Sequence, residues 1–112
     1  MNMQGNSIAR EHGDGYVLLR LSGEVDLSWS QDVRREVLDA LASGAPVGVE
    51  LSAVSYIDSS GIAALVEGFQ AARARGSRFA LVAVSDAVRA VLELARLDRV
   101  FHLVPAADAL LA

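Results

Sequence analysis

The sequence predicts an α/β domain: a mostly parallel β-sheet with an antiparallel hairpin at its N-terminal edge, in the order ββαβαβαβα. Three observations carry this. After two strand-like segments, apolar runs with helix and strand periodicity alternate along the chain. The run Phe79-Ala80-Leu81-Val82-Ala83-Val84 is continuously apolar, the pattern of a strand buried on both faces. Hydrophobic residues make up 53% of the chain but aromatics only 5%, so the apolar mass is Ala, Val and Leu, which suits helices laid closely on a sheet.

Each element has a local cause. His12-Gly13-Asp14-Gly15 is a turn between a short strand near Ile8 and the run Tyr16 to Leu21, and so short a loop predicts an antiparallel hairpin. Ser28 with Gln31 three residues on has the spacing of a capping box, which satisfies the free amides of a helix start. Val33, Val37, Leu38 and Leu41 then fall on one helical face, and Ser43-Gly44 ends it. Val47, Val49 and Leu51 alternate as a short strand. Ile62, Leu65, Val66, Phe69 and Ala72 repeat at helical spacing until Gly76. Ser85-Asp86 caps a third helix with the stripe Val88, Val91, Leu92 and Ala95. Val100 to Val104 reads as a last strand and Ala106 to Leu111 as a terminal helix. Strand–helix alternation implies right-handed crossovers. No repeat or linker divides the chain, so residues 1–112 are expected to form one domain.

Composition removes several function classes. A net charge of −4 argues against nucleic acid, which calls for a basic patch. The local cluster Arg73, Arg75, Arg78 reads as a solvated helix end. Without Cys there is neither a disulfide frame nor a thiol nucleophile. The polar N-terminus lacks the apolar stretch of a signal peptide, and no run approaches the roughly 18 residues of a membrane span, so a cytoplasmic location is expected. The two histidines, His12 and His102, have no metal-ligand spacing, and there is no phosphate loop, dinucleotide fingerprint or nucleophile elbow. A non-enzymatic protein without metal or cofactor is the expectation.

One run remains: Val54-Ser55-Tyr56-Ile57-Asp58-Ser59-Ser60-Gly61-Ile62 places an acid and two hydroxyls where a strand gives way to a helix. Asp and Ser are preferred N-caps, and the run has one reading as nothing more than a helix start. The other is regulatory phosphorylation, because a phosphate of about −1.5 to −2 charges at a helix mouth would be felt by any partner fitted to a neutral hydroxyl. Both readings stand on the residues alone.

With Leu21-Ser22-Gly23-Glu24-Val25-Asp26 upstream of Leu51 to Gly61, the chain resembles the STAS domain of bacterial anti-sigma factor antagonists, from about Gly15 to Val104. The resemblance implies the STAS fold. It also implies that Ser59, directly after the acid, is phosphorylated by an anti-sigma factor that is also a serine-protein kinase. In that family the unphosphorylated antagonist binds its partner and releases sigma, regulating transcription, and the phosphorylated form lets go. By the same match Asp26, Asp58, Ser60, Gly61 and Ile62 belong to the partner-binding face, with Ser59 as acceptor and Ser60 as helix cap. Two departures, Gly61-Ile62-Ala63 for the family's Gly-Leu-Gly and Leu97-Asp98 for a common Ser-Gly, leave the partner's identity open. The alternative within the resemblance is a STAS subunit of a lipid-transport ABC system, docked on its ABC ATPase. The expected state is a monomer or a weak homodimer paired through the hairpin edge.

Overall fold

The computed structural model describes residues 6–111. Strand β1 (Ser7–His12) runs antiparallel to β2 (Val17–Val25), and β3 (Val47–Ile57), β4 (Phe79–Val82) and β5 (Leu103–Val104) follow in parallel, in the spatial order β1-β2-β3-β4-β5. Helices α1 (Ser30–Leu41), α2 (Ser59–Arg75) and α3 (Asp86–Leu94) connect the parallel strands, and a 3-10 helix (Ala107–Leu111) closes the described chain. The α/β class, the hairpin and the element order match the expectation.

Alternation along the strands splits the interior in two. Val17, Leu19 and Leu21 of β2, with Val47, Val49 and Leu51 of β3, face the larger core, which takes in Val33 and Val37 of α1, Leu65 of α2 and Leu92 of α3. On the opposite face Leu18, Ala80, Val82 and Val104 lie beneath Leu110 of the 3-10 helix. Gly48 makes that approach possible, since a Cβ there would lie 2.8 Å from the Leu110 side chain. Beyond the 3-10 helix this face is polar. Glu50, only 7% exposed, binds the Arg20 guanidinium at 3.1 Å and the Ser52 hydroxyl at 2.7 Å, while Arg20 reaches Glu11 on β1 at 2.9 Å. A near-buried carboxylate is thereby paired instead of stranded.

Several boundaries depart from expectation. β4 ends at Val82 instead of Val84, because the backbone turns at Ala83 with φ 50°. β3 runs to Ile57, well past Leu51, because register shifts against β2 change its periodicity, so that Leu51, Val54 and Ile57 are buried at intervals of three. α1 starts at Ser30 with Trp29 as N-cap and no side-chain cap bond. The Ser28 hydroxyl instead donates to Asp26 at 2.6 Å, and buried Trp29 anchors the entry. β5 keeps only Leu103 and Val104 of the expected strand, because Val100 and Phe101 are held in a turn by Leu97 and Phe101 is buried in the core. That turn follows the end of α3, where Arg96 adopts φ 61°, leaving Ala95 outside the helix. The terminal helix is a single short 3-10 segment.

Candidate functional site

Val25 and Ile57 pair as the last residues of two adjacent parallel strands, so Asp26 and Asp58 leave the sheet side by side. The ends of parallel strands are where α/β sheets place their sites, because the connecting loops converge there. The Asp58 amide donates to the Val25 carbonyl at 3.2 Å and fixes the two exits to each other.

Asp58 is the N-cap of α2. Its backbone is extended (φ −106°, ψ −173°), and its Oδ1 accepts from the Ser60 amide at 2.9 Å, the Gly61 amide at 3.1 Å and the Ser60 hydroxyl at 2.6 Å. Two otherwise unpaired helix amides are thus satisfied by one carboxylate. The Ser60 hydroxyl is the main cause that holds the Asp58 carboxyl below the usual carboxylate range; burial opposes it, and the amides of Gly61, Ser60 and Leu27 add to it. The Leu27 amide belongs to the β2–α1 loop, so that loop favours the ionised form of the cap. Asp26 organises that loop: its Oδ1 accepts from the Ser28 amide at 3.0 Å, and its carbonyl takes the Trp29 and Ser30 amides.

The cap sorts the two serines differently from the sequence-based assignment. Ser60 does not cap the helix; it donates its hydroxyl to the residue that does. Helix α2 begins at Ser59, two residues before the expected Gly61. Ser59 is exposed, and among the described residues its hydroxyl has no hydrogen-bond partner. Gly61 and Ile62 are buried beneath this face instead of lying on it. Gly61 is required by a close approach, since a Cβ would meet Ile57 Cγ1 at 2.7 Å and both Val25 Cγ1 and the Val25 carbonyl at 2.8 Å.

Two large apolar residues near these strand ends are exposed, Leu27 by 73% and Tyr56 by 49%. Leu27 follows Asp26 in the β2–α1 loop, and Tyr56 stands three residues before Ser59 in β3. Their sequence signal is weak: each sits next to an acid or hydroxyl within a loop or strand end.

Ser59 also lacks a base. His12 pairs with Val17 at the start of β2, and His102 precedes β5 beside the start of β4, both at the other end of the sheet. Asp58 is a poor proton acceptor because three donors occupy one of its oxygens and hold its carboxyl in the ionised form.

The model of the STAS domain matches residues 7–109. The chain belongs to the STAS domain family. A curated relative, the anti-sigma F factor antagonist of Paenibacillus polymyxa, is 29% identical over 102 residues, 89% of this STAS chain and 85% of that protein. The crystal structure of an anti-sigma factor antagonist from Mycobacterium paratuberculosis superposes with a TM-score of 0.83 at 27% identity, covering 95% of this chain and 91% of that one. The Bacillus cell fate determinant SpoIIAA in its phosphorylated form shares the fold at a TM-score of 0.71 and 23% identity, over 92% of this chain and 94% of that one. Among the described residues, no helix of this STAS protein is long and apolar enough to cross a membrane.

Proposed function

We propose that this protein is an anti-sigma factor antagonist, non-enzymatic itself, that docks on an anti-sigma factor with serine-kinase activity and is released when Ser59 is phosphorylated. The observation that carries the reading is the exposed Ser59 hydroxyl, without a hydrogen-bond partner among the described residues, beside an Asp58 whose Oδ1 is engaged by three donors. Two exposed apolar side chains near the same strand ends, Leu27 and Tyr56, suit a partner surface fitted to the neutral form. Asp26, Asp58 and Ser60 shape this face, and Gly61 and Ile62 support it from below.

A dianion introduced into such a contact has to be desolvated, which costs several kcal/mol unless a cation pairs with it. The same fold exists in a phosphorylated form in the Bacillus protein, so the fold tolerates the modification. The test combines the STAS protein with the candidate kinase and ATP, maps the phosphate by mass spectrometry and measures binding calorimetrically. Expected results are phosphate on Ser59 alone, retained binding by Ser59→Ala, and binding by Ser59→Asp at least about 100-fold weaker, or about 2.7 kcal/mol. Modification confined to other residues, or Ser59→Asp binding like wild type, overturns it. Co-purification with an ABC ATPase and no labelling by any kinase would assign the chain to a transport complex instead.

A further inference from the structure

A cleft of about 300 Å³ opens between the last turn of α2, the start of β4, His102 and the 3-10 helix. It lies at the far end of α2 from Ser59: Arg73 is fourteen residues on, about 21 Å at 1.5 Å per residue. Its walls are apolar, with Phe69, Phe79 and Leu110, and its rim carries Arg73, Arg78 and His102. None of the lining residues is Asp or Glu, in a chain with 14 acidic residues against 10 Lys and Arg. Among the described residues Arg73 thus stands at a rim without a side-chain carboxylate, against the charge of the molecule as a whole.

The walls and rim are held in place by contacts within the fold. Phe69 packs edge-on against Phe101, with ring centroids 5.8 Å apart and an interplanar angle of 72°. Arg73 lies over the Phe69 ring, its guanidinium carbon 5.9 Å from the centroid. Arg78 donates to the Leu110 carbonyl at 3.1 Å, which fixes that guanidinium at the opposite lip. A preformed apolar hollow with a few convergent polar groups is the usual form of a small-molecule site, and guanidinium pairs well with carboxylate.

We propose that this cleft binds a small aromatic carboxylate, its ring against Phe69 and Phe79 and its carboxylate at Arg73 on the rim. The proposal is independent of the reading of Ser59. A ligand of a dozen or so heavy atoms in a half-open cleft corresponds to a Kd of about 0.1–1 mM.

The experiment is an amide NMR titration of the 15N-labelled protein with 1-naphthoate at low ionic strength. The expected perturbations saturate in that range and gather at Phe69, Ala72, Phe79, Ala80 and Ala109. The neutral 1-naphthylmethanol is expected to bind at least about threefold more weakly to the unmodified protein, because it lacks the charge the rim attracts. Arg73→Glu, at an exposed position in the last helical turn, should weaken naphthoate about three- to tenfold, and Ser59→Asp should leave it unchanged. Scattered perturbations, or equal affinity for the neutral ring, overturn the proposal. So do an Arg73→Glu variant that binds like wild type and cleft shifts that follow protein concentration without naphthoate, the latter giving the cleft to a second copy of the chain.

Discussion

Replacing Asp58 by Ala removes the side chain that caps α2 and accepts the Ser60 hydroxyl. Loss of an N-cap costs about 1 kcal/mol, typically. The same substitution also strips the Ser60 hydroxyl of a charged acceptor, and partial exposure lets water replace much of that bond. Together these give a loss of about 2 kcal/mol at neutral pH. For a domain of this size that lowers Tm by about 8 °C, or the urea midpoint by about 1–2 M. Urea unfolding followed by circular dichroism measures it.

The pH dependence separates a charged cap from mere packing. The folded carboxyl titrates below its unfolded value of about 3.9, so its contribution is complete above about pH 4 and is lost as pH falls through the folded pKa. The gap between wild type and Asp58→Ala should therefore close in acid. Asp58→Asn keeps an acceptor oxygen and should lose only about 0.5 kcal/mol. Amide exchange should quicken at Leu27, Ser60 and Gly61 in the Ala variant. Two results would refute a charged cap on α2. One is an Asp58→Ala protein that unfolds within about 0.3 kcal/mol of wild type at pH 7; the other is a deficit that persists undiminished at about pH 2.5.

Two further substitutions test the packing. Gly61→Ala should destabilise by about 1–3 kcal/mol in thermal unfolding, since the new methyl meets Val25 and Ile57 below 3 Å and overpacking outweighs the roughly 1 kcal/mol of helix propensity that Ala gains; an unchanged or raised Tm would show that β2 and β3 yield easily there. Arg96→Gly should stabilise by up to about 1 kcal/mol in urea titrations, because Arg96 sits at φ 61° just past α3, where glycine relieves the clash of an L side chain; a lower midpoint would mean that the Arg side chain contributes more than its backbone costs.

The elements with strong periodicity were legible from the residues. α2 shows why: Ile62, Leu65 and Ala72 keep helical spacing, and Gly76 ends the helix at φ 68° with Ser77 bonding back to Ala72. Where tertiary contacts set a boundary, the local signal misled. Ser28 has the right spacing for a cap, yet Asp26 takes its hydroxyl and buried Trp29 sets the start of α1. β3 continues past Leu51 because it carries an extra residue against β2 at each of two register shifts, which a period-two pattern on one strand does not reveal. In the site, the acid and both serines were visible as a motif, but the division of labour between the hydroxyls was not. Leu27 and Tyr56 became part of the face only once two strand ends were brought together.

That division of labour determines what a phosphate on Ser59 would do. An anion at a helix start normally draws stabilisation from free amides, about 0.3–1 kcal/mol at an exposed site. Here Asp58 already occupies the amides of Ser60 and Gly61, and its carboxylate stands next in the chain. Like charges at about 4 Å repel by about 4 kcal/mol per unit pair at an effective dielectric near 20, several times the attraction. The helix mouth therefore cannot take the phosphate in, and the group is driven outward, toward whatever covers Leu27 and Tyr56. A phosphate on Ser60 would have to displace the hydroxyl bond that holds Asp58 and would loosen the cap itself. Modification at Ser59, as proposed, would leave the domain folded and alter the surface, which is the property a reversible binding switch requires.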